Sequence, residues 1–128
     1  MIVVTFQITT TGSGAYTSTT DGGVTGQPSS GAYLLHAVEW VDGSLDNSHA
    51  ATLSITNTPS GVDKTLLTIA AGEGDDDIWY YPQTLVHDPG AEDTTFYTMQ
   101  VVIGTLKLAV TSGGASKTGK CLVYLLEA

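Results

Sequence analysis

Arginine is absent from these 128 residues, and lysine occurs only at 64, 107, 117 and 120. Against those 4 cations stand 13 carboxylates, for a formal net charge of −9. A nucleic-acid binder needs a basic stripe, and arginine is the side chain best suited to bidentate phosphate and base contacts. Neither a nucleic acid nor an anionic membrane surface is therefore expected as a partner. Cysteine occurs once, at 121, so no disulfide can close within the chain. Cys121 lies in an apolar run and reads as a small buried hydrophobe, not a reactive thiol. No apolar stretch reaches the ~20 residues that span a bilayer as a helix. The opening segment, Met1 to Thr9, lacks the basic region and cleavage site of a signal peptide, so synthesis in a reducing cytoplasm is expected.

Charge of either sign is scarce, at 13% of residues, where a soluble domain carries about 25%. The polar surface must come from Thr, Ser, Gly and Asn. Thr is β-branched and favours strands, while the 15 glycines supply turns. Alternation supports this composition. Ile2, Val4, Phe6 and Ile8 share one face of a strand over 2–9. Ala32 to Val41 is apolar on both faces, with Leu34, His36, Val38 and Trp40 on one side, and reads as a central strand. Further strands are expected at 51–57 and 64–71. Ile78 to Tyr81 and Thr84 to His87 read as one strand broken at Pro82, which cannot donate to a ladder. Asp88 to Asp93 reads as a loop, followed by a strand over 95–103. Thr105 to Ser112 and Lys120 to Leu126 then form a closing hairpin, with Leu106, Leu108 and Val110 on one face. No helix of convincing length and no internal repeat is present. The expectation is a single all-β domain over 1–128, a two-sheet antiparallel β-sandwich of jelly-roll type with about eight strands.

Residues 10–31 break this pattern. They are Gly-, Ser- and Thr-rich, with Ala15, Tyr16 and Val24 as the few apolar side chains. Two readings stand side by side: a surface loop, or an arm that orders on a neighbouring subunit.

Catalytic chemistry finds little footing. Nucleophilic catalysis needs a Ser, Cys or Thr beside an oriented base. There is no Gly-x-Ser-x-Gly elbow, and His87 and Asp88 are adjacent strand residues that point to opposite faces. The histidines at 36, 49 and 87 lack zinc-ligand spacing. His36 reads as a hydrogen-bonded core or interface residue, and His49 as a loop residue. Gly72-Glu-Gly-Asp-Asp-Asp77 is the best cation candidate, but it matches no EF-hand, and a solvated acidic turn is the plainer reading. No cofactor, no metal and no enzymatic activity are expected. Trp79, Tyr80 and Tyr81, with Trp40, Phe96 and Tyr97, suit a core or a subunit interface.

A resemblance enters through Leu66-Leu67-Thr68, Trp79-Tyr80-Tyr81-Pro82, Val86-His87-Asp88 and Gly90. It continues in Leu106-Lys107-Leu108-Ala109-Val110, Gly113-Gly114, Lys117-Thr118-Gly119 and Val123-Tyr124. Across residues 66–126 the chain resembles small all-β structural proteins of tailed bacteriophages. A basic residue often follows the Tyr-Pro pair in that group, where this chain has Gln83. The resemblance implies a capsid decoration, or cement, protein, assembled in the host cytoplasm and carried on the capsid exterior of the virion. It implies the major capsid protein as partner and a homo-oligomer, a dimer or trimer. Contacts are expected from the arm (Tyr16, Val24, Pro28), from the aromatic segment (Trp79, Tyr80, Tyr81) and from the first strand as an edge for β-augmentation. Deleting 10–30 is expected to abolish shell binding. The rival readings are a neck, tail or head-fibre component, and a carbohydrate-binding sandwich using the aromatics with calcium at Asp75–Asp77.

Overall fold

The computed structural model describes residues 1–18, 20–28, 30–88 and 91–128, with side chains left undescribed over 86–96. Twelve strands follow one another: β1 (Ile2–Thr9), β2 (Tyr16–Thr17), β3 (Val24–Thr25), β4 (Ala32–Val41), β5 (Ala50–Thr56), β6 (Lys64–Ile69), β7 (Ile78–Tyr80), β8 (Gln83–Asp88), β9 (Ala91–Met99), β10 (Val101–Ile103), β11 (Thr105–Thr111) and β12 (Thr118–Glu127). No helix occurs among the described residues, so the all-β expectation holds. The larger sheet runs β10-β4-β12-β1-β3, with β7 also paired to β4, and the smaller runs β2-β11-β5-β6. β8 and β9 form a separate two-stranded sheet. Every pairing is antiparallel.

The alternation read in β1 holds: Val4, Phe6 and Ile8 are buried and Val3, Gln7 and Thr9 are exposed. Leu106, Leu108 and Val110 are likewise buried together on β11. Side chains from both larger sheets join one hydrophobic cluster around Phe6, Tyr16, Trp40, Leu53, Leu108 and Leu125. Full burial of such a side chain stabilises by about 1.5–3 kcal/mol, so this cluster is the main favourable term. Cys121 lies within it, and burial pushes its thiol up to about 12, well away from thiolate chemistry.

Four expectations need correction. First, β11 and β12 do not pair. β11 lies between β2 and β5, while β12 lies between β1 and β4. Their connection is too long for a tight hairpin and carries left-handed backbone at Ser112, Gly114 and Ser116. It takes the chain from one sheet to the other. Thr10, buried at its base, donates through Oγ1 to the Gly114 carbonyl at 2.5 Å and accepts from the Lys117 amide at 2.8 Å.

Second, Pro82 separates two strands instead of interrupting one: β7 joins β4, whereas β8 joins β9. The strands also reach further than expected, through Asp88 and from Ala91. Of the expected 88–93 loop, residues 89 and 90 lie outside the described residues, as do the side chains of His87, Asp88 and Phe96.

Third, β4 does not alternate strictly. Tyr124 pairs with Ala37 and Leu125 with Leu35, which leaves His36 as the extra residue of a bulge. Leu35, Val38 and Trp40 therefore face the core together, and His36 is exposed. A second bulge, at Leu66 opposite Leu53/Ser54, lets Leu66 and Ile69 both point inward.

Fourth, the 10–31 segment is built into both sheets. Tyr16 pairs with Val110 of β11, and Val24 pairs with Phe6 of β1. Tyr16 is 1% exposed, and its hydroxyl donates to the Gly22 carbonyl at 2.6 Å. Its segment covers both sheets as a clamp, because one aromatic ring at Tyr16 gives a Gly- and Thr-rich stretch enough apolar surface to anchor.

Candidate binding surface

The outward faces of the two main sheets differ in chemistry. On the smaller sheet, the residues between the buried ones are Thr52, Ser54 and Thr56 on β5 and Thr105, Lys107 and Ala109 on β11. On the larger sheet the outward face is mixed, with Thr5, Gln7, Glu39 and Lys120 beside a group of apolar residues. Val101 pairs with Leu34, Leu34 with Leu126, and Val3 with Tyr124, all on the outer face. Val3 is 39%, Val101 44% and Ile103 39% exposed, with Leu34, Leu122 and Leu126 half-buried among them.

An aromatic corner completes this face where β7 lies along β4. Glu39 pairs with Trp79, which turns Trp79 outward and Ile78 and Tyr80 inward. Trp79 stacks on Tyr124, with ring centroids 5.2 Å apart and planes 28° apart. The Tyr124 hydroxyl donates to Glu39 Oε1 at 2.9 Å. Partial burial and that bond to a carboxylate both raise the Tyr124 pKa. Tyr81 is exposed and meets the edge of the bulged His36 ring, centroids 6.5 Å apart. Tyr97, paired with Leu85 on β9, is also exposed. At the far end of the face, Gly43 and Gly119 leave a hollow of about 240 Å³ lined by Gln7, Thr9, Val41, Thr118 and Lys120.

Of the expected contact residues, Trp79 and Tyr81 are at the surface and share this corner. Tyr80 is turned to the core, where burial raises its pKa, with a smaller contribution from Glu73. Tyr16 is a core residue, and burial pushes its hydroxyl up to about 12, reinforced by Asp21. Tyr16 is therefore corrected from a contact residue to a packing residue, while Tyr80 is half-buried against the cluster. Val24 packs against the cluster and Pro28 is half-buried. The first strand offers little free edge, since the Gly23 carbonyl accepts from the Gln7 amide at 2.6 Å and β3 covers its centre.

The acidic turn is more than a solvated loop. Its Gly74 carbonyl accepts from Trp40 Nε1 at 3.1 Å, and Trp40 stacks on His49 at 5.4 Å. His49, expected merely as a loop residue, is fully buried, with Nδ1 2.7 Å from the Asp46 carbonyl and 3.6 Å from Asp42 Oδ1. Asp77 Oδ1 accepts from the Asp42 amide at 3.0 Å. Burial raises the Asp42 pKa; His49 opposes this, while Asp75, Asp77 and Asp76 add to it. Among the described residues no group of three or more His, Cys, Asp or Glu side chains converges to hold a metal ion. The turn thus acts as a lid over Trp40 and His49.

Sequence reasoning missed Val3, Val101, Ile103 and Tyr124 as one surface. The signal was partial: Leu122, Tyr124 and Leu126 alternate on β12, whereas β1 carries Thr5, Gln7 and Thr9 beside Val3 on its outward side. Comparison with protein families, with curated proteins and with solved structures finds no match for this chain.

Proposed function

We propose that this chain is a virion structural protein that binds the outside of a bacteriophage capsid and stabilises the assembled shell. In this reading the two main sheets form a β-sandwich of jelly-roll type. The observation that carries the proposal is the aromatic corner. Trp79 and Tyr81 stand 49% and 62% exposed on a rigid strand edge, braced by Tyr124, Glu39 and His36. Aromatic side chains held in place from behind are the usual anchors of a protein interface, because little rotamer freedom is lost when they dock. The phage resemblance over residues 66–126 includes this corner and gives the shell as partner. The major capsid protein supplies the complementary surface. The protein acts by mass action: gripping the expanded shell better than its precursor stabilises that state in proportion to occupancy. The test is co-sedimentation of purified protein with empty expanded heads, followed by heating. Binding with raised heat resistance of the heads supports the proposal, and protein left in the supernatant refutes it.

A second reading rests on the same open rings, since Trp79 and Tyr81 also suit stacking on sugar. A glycan array separates the two, because only a carbohydrate-binding module gives saturable signal there.

A further inference from the structure

We infer that the aromatic corner grips an arginine of its protein partner, with the guanidinium laid on the open face of Trp79 and paired to the Glu39 carboxylate. The inference rests on the shell reading in taking this corner as the contact, and adds the chemistry of what is held there.

Glu39 is a carboxylate without a counter-ion. It is half-buried opposite Trp79 in the β4–β7 register, and a neutral donor, the Tyr124 hydroxyl, reaches its Oε1 at 2.9 Å. Among the described residues the one ion pair is His49 with Asp42, so no lysine reaches Glu39. A carboxylate accepts at both oxygens, and a partly desolvated one is costly to leave unpaired. The chain has little to give it. Arginine is absent. Lys64 and Lys107 belong to the smaller sheet, and Lys117 to the connection between β11 and β12. Lys120 pairs with Gln7 and Val41 beside the Gly43 and Gly119 hollow.

The indole supplies the other half of the site. Tyr124 covers one face of Trp79, yet the residue stays 49% exposed, so the opposite face is open. The face of an aromatic ring is negative, and Trp holds a cation better than Tyr or Phe. Tyr81 adds a second exposed ring. Arginine suits this pair of groups better than lysine. Its planar fork stacks on a ring and still meets a carboxylate through two parallel N–H bonds, whereas an ammonium keeps its water more tightly. Long-range charge selects the same occupant. Asp76 and Asp77 are exposed and lead directly into β7, and the whole chain carries −9. A basic group is drawn to this corner, and a neutral one gains nothing from the field. A sugar ring would use Trp79 and leave Glu39 without a cation.

Titration of the full chain with acetyl-Gly-Arg-Gly-amide, followed by NMR through the two indole N–H signals, tests this. Trp79→Phe assigns them. The control is the same peptide with citrulline, which is neutral and nearly isosteric with arginine. The arginine peptide shifts the Trp79 signal saturably, at about millimolar affinity for so small a probe. The signal of Trp40, which is fully buried, stays in place. The citrulline peptide binds about tenfold more weakly, or less. Glu39→Gln keeps an acceptor for the Tyr124 hydroxyl, removes the charge and weakens the arginine peptide about tenfold. An unmoved Trp40 signal in that variant reports an intact core. An arginine peptide that leaves Trp79 unshifted overturns the inference. So does a citrulline peptide that binds equally well, or an affinity unchanged by Glu39→Gln. Wild-type protein that co-sediments with expanded heads but ignores the arginine peptide sinks this inference and leaves the shell reading standing. A peptide response without head binding does the reverse.

Discussion

Truncating Tyr16 tests whether residues 10–31 are a structural clamp or a detachable arm. The ring is 1% exposed within the central cluster, and its hydroxyl donates to the Gly22 carbonyl at 2.6 Å. Tyr16→Phe removes only that bond. Gly22 is exposed and can turn to water, so the cost is about 1 kcal/mol. Tyr16→Ala also removes the ring and leaves a cavity between the sheets, costing about 3–5 kcal/mol as for other buried aromatics. That is a large part of the ~5–15 kcal/mol that holds a domain together. At about 4 °C per kcal/mol for a chain of this size, Tyr16→Phe lowers Tm by about 4 °C and Tyr16→Ala by about 12–20 °C. Circular dichroism melts and urea titrations read both. Deletion of 10–30 would remove the clamp altogether and unfold the protein, so lost shell binding in that variant would not report a contact. Tyr16→Ala with a Tm within about 2 °C of wild type would refute the clamp.

Other expectations follow from the same geometry. Tyr16 and Cys121 keep their protons up to about 12 when folded, against ordinary values of 10.0 and 9.0. In that window the folded chain binds more protons than the unfolded one. Stability is thus intact below pH 9 and falls as pH rises toward 12, which urea midpoints across alkaline pH will show. Asp42 has its pKa raised, so its charged form is disfavoured in the folded state. Asp42→Asn should therefore stabilise by some tenths to about 1 kcal/mol at neutral pH, with the gain vanishing as the pH falls below the ordinary value of 3.8. Gly74→Ala sets a methyl 2.7 Å from His49 Nε2 and 2.9 Å from Trp40 Nε1; it should cost about 1–3 kcal/mol by overpacking, visible as a lower urea midpoint. Trp79→Ala and Tyr81→Ala should each cost about 1 kcal/mol or less at these exposed sites and reduce co-sedimentation with heads, whereas unchanged binding would remove the aromatic corner from the contact.

Local alternation made β1, β5 and β11 readable, because one face of each is buried and the period-two pattern carries that directly. β4 was readable as a central strand, but its faces were not. The bulge at His36 shifts the alternation by one residue, and nothing local announces it. The same holds for Leu66 on β6. Pairing partners were the least legible feature. β11 and β12 look like a hairpin because they are adjacent in sequence, yet β11 pairs with β5 and β12 with β4 and β1. Composition hid the clamp, since a single tyrosine anchors a segment whose other residues are those of a loop. Trp79 and Tyr81 were legible as core or interface aromatics, whereas their exposure and the braces behind them were not. Tyr124 and Glu39 are 85 residues apart in sequence and meet only through the β4–β12 register.

The proposed shell contact rests on the aromatic corner, and the protein's two tryptophans allow a direct reading. Trp40 is fully buried and Trp79 is 49% exposed, so Trp79 supplies the quenchable fluorescence. Protein labelled with 5-hydroxytryptophan can be excited apart from the tryptophans of the heads and titrated with acrylamide, alone and with empty expanded heads. Shielding of the quenchable component on adding heads is the predicted result. Undiminished quenching of protein that has co-sedimented with the heads would contradict it.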